Sequence, residues 1–209
     1  MRRAARTLVA TAVLGTLVAV AFAGNALAQS SSGSASPSGS QKITFIEGTL
    51  GDLGSVNPFK ALTTTEYEVL SLNFDMLENF DKANLTAAPG LATKWTNSSD
   101  DLTWTFDIRN DAKWQDGQPL TAKDIAFTYN LILKCQLGNS LNYLVPDFTK
   151  TITAPSDTQL VWTLKKPTIA PIRPPWVYII PEHIWGSSSC HDINTAKFFT
   201  DGQPMVGSG

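Results

Sequence analysis

The chain has 209 residues, a formal net charge of −2 and 43% hydrophobic residues, enough apolar side chain for one large domain or two small lobes. No Lys/Arg run of five or more occurs in it. That excludes nucleic acid as a partner, because phosphate-driven affinity needs clustered positive charge.

Arg2, Arg3 and Arg6 form a positive region ahead of the apolar run 8–23, and Ala26-Leu27-Ala28 fits an A-x-A cleavage site. Residues 1–28 are expected to be a signal peptide, with Gln29 the first mature residue. The alternative is a retained anchor, although the apolar stretch, interrupted by Thr11 and Thr16, falls short of the roughly 18 to 20 residues that span a bilayer. No cysteine stands near the cleavage site to be acylated. The chain is therefore expected to be exported, to the periplasm or the outer face of the cytoplasmic membrane. Residues 29–41, nearly all Ser, Gly, Ala and Pro, have almost nothing apolar to bury and read as a disordered linker. The folded part is expected over 42–209.

Residues 42–46 read as a strand leading into the fold. Thr63, Thr64 or Thr65 caps a predicted helix in which Val69, Leu70, Phe74, Met76 and Leu77 recur at three- and four-residue spacing. Leu102, Trp104, Phe106 and Ile108 alternate with Thr103, Thr105 and Asp107, the period of a strand with one buried face, so Trp104 and Phe106 point to the core. Asp116-Gly117 marks a tight turn. Thr121 then caps a helix with Asp124 in its first turn, and Ala122, Ile125, Ala126, Tyr129, Ile132 and Leu133 form its apolar stripe, ending near Lys134. Strands over 151–154 and 159–164, joined by a turn at Pro155-Ser156-Asp157, read as a hairpin. Residues 166–181 hold five prolines, too many for a helix interior or a central strand. Arg109 and Asp111 are spaced to pair near the surface, where an ion pair contributes little.

Cys135 and Cys190 are the only cysteines. An exported compartment permits them to pair, and two separately buried thiols are the alternative. A bond would close a long loop, for which the chain-entropy argument gives about 4 kcal/mol.

The run 84–134 carries Pro89-Gly90-Leu91-Ala92, Lys94-Trp95, Asp100-Asp101, Thr103-Trp104-Thr105-Phe106, Ile108-Arg109, Lys113-Trp114, Asp116-Gly117 and Leu120-Thr121-Ala122-Lys123-Asp124-Ile125. In that order these pieces resemble the family 5 extracellular solute-binding proteins, the oligopeptide-, dipeptide- and nickel-binding components of ABC importers. The resemblance extends to Asn57-Pro58, Leu77-Glu78, Ile180-Pro181-Glu182-His183 and Pro204-Met205-Val206-Gly207-Ser208-Gly209. Trp114 stands where the family usually has Phe.

The resemblance implies an α/β (mixed α+β) fold, a periplasmic-binding-protein-like type II lobe with a mixed sheet and flanking helices. It divides 42–209 into a first lobe of about 42–60 plus 160–209 and an inserted subdomain of about 61–159. Family members run to several hundred residues, whereas this chain stops in a motif that leads into the next strand. The expectation is an N-terminal part with the second lobe largely missing.

The motif residues Trp104, Phe106, Asp116, Gly117, Thr121 and Asp124 are expected to be scaffold. A peptide-like solute needs backbone groups, aromatic walls and a charge for a terminus. The Gly-rich segment 47–59, with Glu47, Gly48 and Thr49 at its start, is expected to offer backbone groups at a lobe rim. Tyr67, Tyr143, Arg173 and Trp176 are the side chains expected at the cleft, Arg173 to hold a carboxylate with two parallel hydrogen bonds.

The function implied is extracytoplasmic solute binding, with a peptide or other small solute as ligand, an ABC permease and ATPase as membrane partners, and a monomeric chain. No catalysis is expected: Ser187, Ser188 and Ser189 beside Cys190 and His191 lack a G-x-S-x-G elbow. No phosphate-binding G-x-x-x-x-G-K-[ST] loop occurs, so transport energy belongs to a separate ATPase. No cofactor is expected. Two alternatives stand beside this: a nickel- or zinc-binding protein using Glu182, His183, Cys190, His191 and Asp192, whose spacing matches no closed zinc motif, and a repurposed envelope sensor lobe.

Overall fold

The computed structural model describes residues 54–81, 83–84, 86–137, 145–172, 177–198 and 206–208. All lie in the second of two units, which spans Glu47–Gly209. The expected signal peptide, linker and strand over 42–46 fall outside the described residues.

Thr63 opens helix α1 (Thr64–Ser71). Its hydroxyl accepts the Glu66 amide while the Glu66 carboxylate accepts the Thr63 amide, so two donors orphaned by the helix start satisfy each other's residue. The helix ends at Ser71, six residues short of Leu77. Phe74, Met76 and Leu77 are buried from an extended stretch, and Met76 bridges Tyr178. A short apolar run satisfies helical and extended burial alike, which is why its spacing misled.

Two short strands follow, β1 (Glu78–Phe80) and β2 (Ala87–Pro89), paired antiparallel. The main sheet is built from β3 (Ala92–Asn97), β4 (Thr103–Ile108), β5 (Thr149–Ser156) and β6 (Gln159–Leu164), all antiparallel in the order β3-β4-β6-β5. Trp104 pairs with Trp162 across the β4–β6 ladder. Alternate residues of both strands are buried, Trp104, Phe106 and Ile108 on one and Leu160, Trp162 and Leu164 on the other. The expected hairpin forms, with strand β5 longer than expected and the turn at Asp157 and Thr158. Strand β3 carries no alternation in the sequence because it is an edge: Thr93, Lys94, Thr96 and Asn97 are exposed. Strand β6 pairs with both β4 and β5. The sheet therefore runs through residue 160.

Helix α2 (Ala122–Cys135) covers the buried face of the sheet. Its capping box uses Thr121 and Asp124, and Tyr129 meets Trp162 with ring centroids 4.7 Å apart. The expected stripe holds at Ala122, Ile125, Ala126, Tyr129 and Ile132, but Leu131 is buried and Leu133 only half-buried. Full burial of one such aliphatic or aromatic side chain contributes roughly 1.5–3 kcal/mol.

Short helices complete the described chain: α3 (Val145–Phe148), a 3-10 turn at Ala170–Ile172, α4 (Glu182–Trp185) and α5 (Cys190–Thr195). The proline-rich stretch is irregular where it is described. Among the described residues no helix is long and apolar enough to cross a membrane.

The Leu120–Ile125 motif is scaffold. Asp124 Oδ2 accepts the Thr121 amide at 2.8 Å and Oδ1 the Glu182 amide at 3.0 Å, so one carboxylate starts α2 and positions α4. Thr128 Oγ1 accepts the Ile180 amide at 3.1 Å and donates to the Asp124 carbonyl at 2.8 Å, tying the same two segments. Gly117 has φ +88° in the turn after Asp116, a backbone setting that favours glycine.

Candidate ligand-binding rim

The irregular segment leading into α1 is held in place by two buried polar side chains. Glu66, 4% exposed, accepts the Ser55 amide on Oε1 at 2.6 Å and the Leu62 and Thr63 amides on Oε2 at 2.6 and 2.9 Å. Burial works to raise its carboxyl pKa, but these amides outweigh it and hold the group below the ordinary carboxylate range. One side chain thus closes residues 55–63 into a loop.

Asn57, 2% exposed, fastens the other side. Its Nδ2 donates to the carbonyls of Ile193 at 2.8 Å and Ala196 at 3.2 Å, while Oδ1 accepts the Phe59 amide at 2.9 Å. Its own carbonyl accepts the Lys60 and Ala61 amides, forming the turn through Pro58. The loop is thereby stapled to α1 by Glu66 and to α5 by Asn57. Between loop and α5 lies a groove of about 460 Å3, lined by Ser55, Val56, Lys60, Asn194, Lys197 and Phe198 among others.

Tyr67, on α1, reaches the end of the loop at Ala61. Its hydroxyl donates to the Ala61 carbonyl at 2.9 Å, its carbonyl accepts the Tyr178 hydroxyl at 2.8 Å, and the two rings lie 6.4 Å apart. Burial, with a contribution from Tyr67, pushes the Tyr178 phenol well above its ordinary pKa, so it stays a neutral donor. Tyr67 itself is half-buried. Of the residues expected at the cleft it alone is described; Glu47, Gly48, Thr49, Tyr143, Arg173 and Trp176 lie outside the described residues.

Sequence reasoning missed Glu66, Asn57 and Tyr178 as builders of this rim. Glu66 was legible, since a Thr followed three residues later by Glu is a capping-box signature. The bonds from Asn57 to Ile193 and Ala196 and from Tyr178 to Tyr67 carry no local signal, because the partners lie more than 100 residues apart.

Three of the five residues raised as metal ligands are held by other partners. Cys190 is disulfide-bonded to Cys135, with Cα atoms 5.3 Å apart. Asp192 accepts the Ser189 amide and hydroxyl at the start of α5. His183 Nε2 lies 2.6 Å from Asp116 Oδ2, and that hydrogen bond is the main reason the Asp116 carboxyl sits below its usual range. Among the described residues no group of three or more His, Cys, Asp or Glu side chains is placed to hold a metal ion. Arg109 and Asp111 do pair, at 2.6 Å and largely exposed.

An antiparallel sheet backed by a capped helix, with helices flanking an anchored irregular loop, is a fold shared with type II periplasmic-binding proteins. Residues 86–209 match the family model described as bacterial extracellular solute-binding proteins, family 5 Middle, and the chain belongs to that family. It is 33% identical over 100 residues to the periplasmic murein peptide-binding protein MppA of Escherichia coli K12, covering 46% of this chain and 18% of that protein. To the dipeptide-binding protein DppE of Bacillus subtilis 168 it is 30% identical over 139 residues, 58% of this chain and 24% of that one. The structure of the oligopeptide-binding protein AppA from Bacillus subtilis in complex with a nonapeptide superposes with a TM-score of 0.67 at 22% identity, over 77% of this chain and 32% of that one. The chain thus spans between about a fifth and a third of the length of these relatives.

Proposed function

We propose that the chain acts in an extracytoplasmic substrate-binding component of an ABC importer, taking up oligopeptides, dipeptides or similar solutes for a membrane permease driven by a separate ATPase. The observation that carries this reading is the stapled loop 55–63 beside Tyr67. A peptide presents backbone donors and acceptors and side chains of every kind, so its binder needs fixed irregular backbone next to an aromatic face. Glu66 and Asn57 hold the backbone before any ligand arrives, which lowers the ordering cost of binding. Family membership and the peptide-binding relatives support the same solute class.

On this reading Glu47, Gly48 and Thr49 extend the rim, and Tyr143, Arg173 and Trp176 complete the cleft, with Arg173 receiving a carboxylate. The chain works as a monomer, by binding without chemistry. Calorimetric titration of the purified protein with tri-alanine and penta-alanine, beside free alanine, tests it. Peptide binding is expected, weakened about tenfold, or about 1.4 kcal/mol, in Tyr67→Ala. Absence of heat with either peptide, or equal affinity in Tyr67→Ala with its fold intact by circular dichroism, would remove the assignment of this rim.

A further inference from the structure

Helix α5 is six residues long, too short to be stable alone in water. Of its residues only Ile193 is buried, and just beyond it Phe198 stacks on Trp185 with centroids 4.6 Å apart. Its remaining anchors are the capping box of Ser189 and Asp192, the disulfide from Cys190 to the last residue of α2, and the two hydrogen bonds from Asn57. The sheet and α2 supply most of the buried side chains, and α5 adds only Ile193 to the same core, with Phe198 just beyond it. Both cysteines are half-buried rather than fully buried.

These anchors form a series: α2, disulfide, α5, Asn57, loop 55–63, Glu66, α1. The disulfide is its one covalent link. The α5 wall of the groove is tied to it directly, and the loop wall, which Glu66 also holds to α1, is tied to it through Asn57.

From this connectivity we infer that the Cys135–Cys190 disulfide is a redox-sensitive latch. Its reduction releases α5 and, through Asn57, the loop 55–60, while the sheet stays folded. An external dithiol supplies two electrons and two protons, becoming a disulfide as Cys135 and Cys190 become thiols. In the oxidised protein the rim is preorganised; in the reduced protein it is not. The consequence for solute capture rests on the function proposed above, but the release itself requires no ligand.

Amide hydrogen exchange on the purified chain tests the release, oxidised and after dithiothreitol, so that its failure is separate from any failure to bind peptide. Reduction is expected to cut protection at least about tenfold over 190–198 and 55–60, and to leave β3–β6 unchanged, as local opening of a weakly packed unit requires. The double variant Cys135→Ser/Cys190→Ser should show the same pattern without reductant and no further change with it. In Asn57→Ala, reduction should still loosen 190–198 but no longer alter 55–60. Unchanged protection over 190–198 would overturn the latch. So would loss of protection across the sheet, which would make the bond a staple of the whole unit. A reduction-dependent change at 55–60 that persists in Asn57→Ala would overturn the coupling route.

Discussion

Glu78 is completely buried in β1, and neither carboxyl oxygen has a hydrogen-bond partner. Burial pushes its pKa from 4.5 up to about 8, so at neutral pH the side chain is held mainly as the neutral acid. Since the folded pKa is raised, the folded state retains a proton that the unfolded chain has already released. Stability is therefore fullest below about pH 4.5 and declines as pH rises to about 8. At 1.36 kcal/mol per unit the loss is about 3 kcal/mol by pH 7. Glu78→Gln keeps the shape without the charge. Its denaturant midpoint should match the parent at pH 4.5 and exceed it increasingly toward pH 8; parallel profiles would show that Glu78 is not the titrating group. The sequence displays Glu78 only as a Leu-Glu pair in a family-like stretch, and nothing local says that its carboxyl is buried. By contrast Trp104, Phe106 and Asp124 were legible as scaffold, because strand alternation and helix capping are set by neighbours in the chain.

At the scale of elements, the segment Val206 to Ser208 shows how a distant stretch is tied in. Gly207 exchanges bonds with Gln115, its carbonyl accepting the Gln115 amide at 2.8 Å and its amide donating to Gln115 Oε1 at 3.2 Å. Ser208 donates its amide to the Asn73 carbonyl and accepts the Asp75 amide on Oγ, both at 2.8 Å. A Cβ on Gly207 would collide with the Asn73 backbone. Gly207→Ala is expected to lower stability by about 1–3 kcal/mol, the usual cost of overpacking, read as a drop in thermal midpoint. An unchanged midpoint would mean that this segment does not dock as described. The strands and helices with long periodic patterns, β4, β6 and α2, were read correctly from their residues. The elements missed were β1 and β2, of three residues each, β3, an edge without alternation, and the short helices α3 to α5, whose few residues hold no full period.

Over the whole molecule, the charged start, apolar run and small-residue site predict export with cleavage after Ala28. The intact mass of the protein recovered from the envelope fraction should begin at Gln29; a mass that includes Met1–Ala28 would mean the segment is kept as an anchor. The family, the fold class, the capped α2 and the amphipathic strands could all be read from the residues, since each rests on short-range periodicity or an ordered run of motifs. The loop beside Tyr67 was not legible: Tyr67 was expected at the cleft, but nothing in the sequence says why its loop holds still. That depends on Asn57 reaching the carbonyls of Ile193 and Ala196, and on Tyr178 reaching Tyr67. Likewise two cysteines 55 residues apart allowed either a bond or two thiols, and their pairing was decided by α2 and α5 bringing the Cα atoms to 5.3 Å. Local patterns are determined along the chain by steric and hydrogen-bonding rules that act over a few residues. Contacts between remote positions depend on how the elements pack, so only the tertiary structure decided them.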